Sequence, residues 1–436
     1  MIIQKERSIY VIKKSTIEWF LLLLLILFSF INSTTLLISM FLLLALLQQK
    51  EIGAIKILNI ITLRTIINTG ISPNIGDWQS LKWIILFGCS FYLLLAYFKL
   101  EKQEIRKINP ILSIITVFIA YNFFVALVYS SLPMIAILKL LSYVVIFLGI
   151  LIGVGYTYKK INWLKWMFIS LSLVIIPSIV LIPISVGYFK NGSSFQGFTN
   201  QPNMFGIISV LYIASLFAYA RSKEKVNGLN LIMLPALTFY MVVLSKSRTA
   251  LISCVLLLLL FIVLSKIKKF SSLAIMIFST AGVILLMLGS SFNKFIYDFL
   301  YKGQEQGNLL YSRMNQVSEL TSNFMKNPLF GNGFAVPVLP FKSFEFSYDF
   351  IVEPGNLILA VLSYSGVIGF IIFSVYILAI FRSNHKNFRN LVYLPLATIL
   401  ISMGEMVFFS SNNIGIWCYM FLAMYVFYGA NKYQKS

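Results

Sequence analysis

A chain of 436 residues that is 59% hydrophobic and only 11% charged, with a mean hydropathy of +0.87, excludes a soluble globular protein, for which about 25% charged residues would be usual. Its net charge of +21 would suit nucleic acid, but the basic residues gather in short connections between apolar runs. That distribution is an orientation signal for a membrane protein, and no nucleic-acid partner follows from it.

In chain order, the N-terminus carries Lys5, Arg7, Lys13 and Lys14 ahead of the apolar run 19–30. No small-residue cleavage site follows, so the segment reads as an uncleaved signal anchor. Residues 16–48 form either one long helix or a hairpin broken at Asn32-Ser33-Thr34-Thr35. Residues 52–67 contain Lys56 and Arg64, and form either a short crossing or an interfacial helix. Apolar runs near the ~20 residues that span a bilayer recur along the rest, including 163–186, 229–244, 251–264 and 357–381. Unbroken runs of this kind argue against a β-barrel, which would alternate over ~10-residue segments. The expected fold is all-α, a polytopic transmembrane helix bundle forming one membrane domain over 1–436. About twelve crossings, or fourteen, satisfy the pattern. Cys89, Cys254 and Cys418 all sit inside apolar runs and form neither a disulfide framework nor a metal cluster.

Basic residues concentrate at 1–16, 99–109, 157–165, 221–228, 265–270, 382–390 and 431–436. The positive-inside rule makes these connections cytoplasmic, places both termini inside and turns the intervening loops outward. The outward segment 291–355 differs from all of them. It sets Lys294, Lys302, Arg313, Lys326 and Lys342 against Asp298, Glu305, Glu319, Glu345, Asp349 and Glu353, close to neutrality in a strongly basic protein. Within it Met314, Val317, Leu320 and Phe324 recur at helical spacing. They predict a helix lying on the membrane surface or packed against the bundle, and packing suffices to explain the stripe.

Three further outward features carry chemistry. Ser245-Lys246-Ser247-Arg248-Thr249 precedes the run 251–264, so two cations and two hydroxyls sit at an outward helix N-terminus. Free N–H groups and the helix dipole favour an anion there, and the cations make a seat for phosphate or pyrophosphate. The bland alternative is a pair of snorkelling cations, which are expected mainly on the cytoplasmic side. Glu353-Pro354-Gly355-Asn356 stands directly before the helix starting at Leu357, where partial burial would raise a carboxylate toward a working base. An acid at a helix start is also an ordinary stabilising choice. Gln196, Asn200, Gln201 and Asn203 form an amide-rich turn suited to sugar hydroxyls, or to a turn alone. Lys139 and Glu405 lie within apolar runs and are functional candidates or mutual partners. His385, the only histidine, falls in a cytoplasmic connection, and the sequence has no P-loop, dinucleotide glycine pattern or metal-ligand cluster.

Several segments together resemble the O-antigen ligase and Wzy-type O-antigen polymerase superfamily. They are Gly197-Phe198-Thr199-Asn200-Gln201-Pro202-Asn203; Ser247-Arg248-Thr249-Ala250-Leu251; Ser312-Arg313 with Asn327-Pro328-Leu329-Phe330-Gly331-Asn332-Gly333; and Glu353-Pro354-Gly355-Asn356 with Tyr364-Ser365-Gly366-Val367-Ile368-Gly369. The resemblance covers roughly residues 190–385. It implies a GT-C-like membrane glycosyltransferase in the bacterial inner membrane, working at the periplasmic face on a glycan carried by undecaprenyl pyrophosphate. It further implies that Arg248 and Arg313 hold the pyrophosphate, that no metal or nucleotide-sugar cofactor is required, and that the anomeric carbon inverts. A chain-length regulator and a flippase are the implied protein partners. Lys246, Ser247, Asn200, Asn203 and Asn356 are the substrate-binding candidates, and Glu353 the candidate base. Ligases of the family resemble one another in a His-Asn pair where this chain has Glu353-Pro354-Gly355-Asn356. The missing histidine favours a polymerase of lipid-linked repeat units over a ligase to lipid A-core or protein. A transporter would instead predict internal repeats and polar groups near the bilayer midplane.

Overall fold

The computed structural model describes residues 14–222, 228–264, 314–336 and 355–429. Among them the protein is all-helical, and the only β contact is an isolated bridge between Ile67 and Thr199. The helices are α1 (Lys14–Phe28), α2 (Ser33–Leu43), α3 (Glu51–Thr65), α4 (Gln79–Leu94), α5 (Lys102–Val128), α6 (Pro133–Thr157), α7 (Trp163–Val180), α8 (Pro202–Arg221), α9 (Gly228–Leu244), α10 (Arg248–Leu264), α11 (Met314–Lys326), α12 (Leu357–Ser383), α13 (Phe388–Leu391), α14 (Tyr393–Ser402) and α15 (Gly415–Phe427). Among the described residues six apolar segments are long enough to cross a membrane, and six more are shorter. Large apolar side chains such as Phe20, Ile84, Phe98, Val180 and Val263 stand exposed on the periphery, as they do where lipid replaces water. Every residue of α15 is buried, so this helix is apolar all round and forms the bundle's axis.

The first segment is a hairpin. Asn32 caps α2 by accepting from the Thr35 amide at 2.8 Å, while the Thr35 hydroxyl accepts from the Asn32 amide at 3.0 Å. This reciprocal cap stops the chain from continuing as one helix. The next stretch, open between a crossing and an interfacial helix, is neither half-exposed nor peripheral: α3 is buried along nearly its whole length. Its charges survive burial because each is satisfied. Lys56 pairs with Glu18, donates to Gln49 at 2.7 Å and lies 4.8 Å from the Trp166 ring. Arg64 donates to the Ser29 and Ser72 hydroxyls and to the Pro73 carbonyl. A buried cation persists only with such partners.

Polar contacts sort the connections into two ends. At one end Lys99 pairs with Glu51 at 2.6 Å, and Lys159 with Glu101 and Glu104 at 2.8 and 2.7 Å. Asn384 ties down the carbonyls of Tyr425 and Tyr428 there, each at 2.6 Å. At the other end Asn68 donates to the carbonyls of Val186 and Gly197 at 2.8 and 3.0 Å, and the Asn200 amide to Ile66 at 2.8 Å. The first group holds the basic connections of the sequence, and the second the loops opposite them.

Of the segment 291–355, residues 314–336 and Gly355 are described; Arg313 and Glu353 lie outside the described residues. The amphipathic helix forms as α11 and packs on the bundle. Leu320 is buried, Val317 and Phe324 are half-buried, and Asn323 donates to the Ser363 hydroxyl at 2.8 Å. Residues 327–333 then dock on a break in α12 at Gly366 (φ 63°, ψ −169°). The amides of Asn332 and Gly333 donate to the carbonyls of Ser363 and Tyr364, and the amides of Val367 and Ile368 to those of Pro328 and Leu329. Backbone groups freed by the break are thereby paired again, which a helix inside a bilayer requires.

Candidate functional site

The site lies at the end opposite the basic connections, where three parts of the chain converge. The first is the approach to α8. Gln196 is buried, accepts from the Lys190 amide at 2.7 Å and donates to the Thr199 carbonyl at 3.0 Å. Asn191 accepts from the amides of Ser193 and Ser194. Gly197 takes φ 51° against the Ser178 side chain, whose hydroxyl accepts from the Phe198 amide at 2.9 Å. The loop therefore folds back on itself and delivers Pro202 to the first turn of α8, the helical position best suited to proline.

The second part is the turn between α9 and α10. Lys246 adopts φ 54°, a left-handed conformation costly for a side chain with a β-carbon. This lets α10 begin two residues later at Arg248. Ser247 is buried, and a β-carbon at Gly206 of α8 would stand 2.5 Å from its hydroxyl, so only glycine permits this approach of the two helix starts. The third part is the connection from α14 to α15. Gly404 packs against Thr249 with no room for a side chain, and Glu405 accepts from Asn203 Nδ2 at 2.8 Å.

The first two parts enclose a cleft of about 330 Å³ lined by Lys190, Asn191, Ser193, Ser194, Gln201, Pro202, Asn203, Ser245 and Lys246, and the third reaches it through Asn203. Two ammonium groups stand among amides and hydroxyls there, and no carboxylate is among the described lining residues. The N-termini of α8 and α10 add their positive dipole ends. Nearby, burial and then the neighbouring Tyr240 raise the pKa of Tyr188 and keep its phenol neutral. An arrangement of this kind favours an anion accompanied by groups that donate and accept hydrogen bonds.

Of the sequence candidates, Asn203 and Lys246 line the cleft, and Ser247 and Arg248 follow directly at the start of α10. Asn200 is a brace: its amide holds Ile66, and its Oδ1 is buried with no hydrogen-bond partner among the described residues. Asn356 caps α12 by accepting from the Leu359 amide at 3.1 Å. Sequence reasoning passed over Lys190, although a cation on the side opposite the basic connections is the same signal that singled out Lys246. His385 contacts the Arg382 carbonyl at the basic end, remote in the bundle from the cleft.

The architecture is that of a multi-pass membrane protein with a cleft of cations, amides and hydroxyls at one end. Residues 231–374 match the family model described as O-antigen ligase, so this part of the chain is similar to that family. The matched stretch takes in α9, α10, α11 and the broken part of α12, with Lys246, Ser247 and Arg248; Lys190, Asn203 and Glu405 lie outside it. No curated protein matches the chain.

Proposed function

We propose that the protein is a glycosyltransferase that polymerises oligosaccharide repeat units carried on undecaprenyl pyrophosphate. The observation that carries this reading is the cleft itself, where Lys190 and Lys246 stand among amide and hydroxyl groups with no carboxylate among the described lining residues. A pyrophosphate leaving group develops negative charge as its bond to sugar breaks, and fixed cations stabilise that charge. In the proposed step the acceptor hydroxyl oxygen bonds to the anomeric carbon with inversion, and the bond from that carbon to the pyrophosphate oxygen breaks. The hydroxyl proton passes to Glu353, and Arg248 and Arg313 hold the departing pyrophosphate. Neither a metal nor a nucleotide sugar takes part. The cleft end faces the periplasm, the basic end and both termini face the cytoplasm, and the membrane is the bacterial inner membrane. A flippase supplying the lipid-linked unit and a chain-length regulator are the expected partners.

The family description favours a second reading, transfer of a finished lipid-linked glycan to lipid A-core or protein. Against it stands the location of the only histidine, His385, at the basic end.

The test is complementation of a deletion strain with Arg248→Ala, Arg313→Ala and Glu353→Gln, followed by separation of the surface glycan by length. Loss of polymerisation leaves single repeat units on the acceptor, and loss of ligation leaves glycan on its lipid. Normal glycan length in all three stably produced variants would refute the site.

A further inference from the structure

We propose that Glu405 is a positioning residue for the cleft, acting through Asn203; this rests on the reading of the cleft as a glycan site. A side-chain amide has two unlike ends, a donor and an acceptor, and an ionised carboxylate only accepts. Glu405 Oε1 takes the Nδ2 end of Asn203 at 2.8 Å. The partner thus fixes which way round the amide stands, and the Oδ1 end remains for the cleft that Asn203 lines. A carbonyl oxygen so placed receives a hydrogen bond from a sugar hydroxyl. Without the carboxylate the amide would turn freely, and half of its orientations would present a second donor to a cleft already rich in donors.

The carboxylate is itself held by the fold. The Glu405 amide donates to the Ile401 carbonyl at 3.0 Å, the Glu405 carbonyl accepts from the Val407 amide at 2.7 Å, and Gly404 is pressed against Thr249. Both Glu405 and Asn203 are half-buried, where a charge-assisted bond is weakened less by competing water. Three segments far apart in sequence are therefore locked to one amide at the edge of the cleft.

The test uses wild-type protein in lipid nanodiscs and, as probe, the lipid-linked glycan extracted from a strain lacking the protein. The variants are Asn203→Ala, Glu405→Ala, their double mutant and Glu405→Gln. Loss of one oriented hydrogen bond predicts a rise in KM of about tenfold for each alanine variant, with kcat within about threefold of wild type. The double mutant should show no larger rise than either single, because the two residues act as one unit. Glu405→Gln keeps an acceptor for Asn203 but can also donate to it, so its rise in KM should fall between wild type and Glu405→Ala. An unchanged KM in Glu405→Ala, multiplying effects in the double mutant, or a collapse of kcat in both Glu405 variants would each overturn the proposal. Should Glu405→Ala fail to accumulate, Asn203→Asp replaces it: it cannot donate to Glu405, and a wild-type KM there overturns the proposal equally. A wild-type protein that transfers no glycan refutes the functional reading and this inference together, whereas an active wild type with any overturning result above refutes this inference alone.

Discussion

The Gly333 amide donates to the Tyr364 carbonyl at 3.0 Å, joining a surface loop to the interior of a membrane helix. The break that frees this carbonyl depends on Gly366, whose φ 63° and ψ −169° belong to a region essentially reserved for glycine. A β-carbon there would also strike the Leu329 backbone. Gly366→Ala should therefore cost roughly 1–3 kcal/mol or more, read as a lowered melting temperature in detergent. Gly88→Ala is the control. Nothing lies within 4 Å of its added carbon, and removing a helical glycine should stabilise by roughly 0.5–1 kcal/mol.

Lys246 offers a way to separate stability from activity. Its left-handed backbone carries strain of roughly 1–2 kcal/mol that glycine would not, partly offset by glycine's greater freedom in the unfolded chain. Lys246→Gly should thus be at least as stable as wild type by thermal melting, yet lose glycan transfer because one of the two cleft ammonium groups is gone. A variant that melts as wild type and transfers as wild type would remove Lys246 from the site.

At the opposite end, removal of Glu18 and removal of Lys56 should be unequal. Lys56 is almost fully buried and Glu18 is its carboxylate partner. Glu18→Ala takes away the counter-charge of a buried ammonium that keeps its bond to Gln49, and removing one partner of such a pair costs up to roughly 3–5 kcal/mol. Lys56→Met removes the charge and keeps the volume, so it should destabilise less. Equal melting temperatures for the two variants would contradict this account of α3.

The approach of α8 to α10 through Gly206 and Ser247 yields a fourth expectation. Gly206→Val should push the two helix starts apart and separate Asn203 from Lys246. Glycan transfer should fall by about tenfold or more, since small misplacements of positioning groups are costly. Membrane yield, measured by in-gel fluorescence of a tagged protein, should fall much less.

The general architecture was legible because apolar runs and basic connections are local signals, whereas the choice of a hairpin at Asn32 over one long helix came only with the structure. The turn holding Lys246 and Arg248 and the amide at Asn203 were legible for the same reason, as cations and amides at helix starts. The burial of α3 was not, because Lys56 and Arg64 look like interfacial residues until Glu18, Gln49, Ser29 and Ser72 are brought around them. Glu405 could be recognised as an acid in an apolar run, but its partner Asn203 is 202 positions away. The segment 327–333 read as a family motif; its task of completing a broken helix follows from hydrogen bonds to Ser363 and Tyr364 that no spacing announces. Arg313 and Glu353 lie outside the described residues.

The enclosure of α3 also bears on how the chain enters its membrane. A helix carrying Lys56, Asn59, Thr62 and Arg64 is a poor candidate for partitioning into lipid alone, because a cation inside the helix such as Lys56 costs up to roughly 2.5–3.5 kcal/mol on insertion scales. The hydrogen-bond partners of its two cations are supplied by Glu18 of α1 and Ser29 just after it, by Gln49 just before α3 and by the loop after it, while Asn59 reaches Met167 and Met420. The helix bodies that enclose α3, namely α4, α6 and α15, all follow it in the chain, so its polar face is sealed only once those later segments are in place.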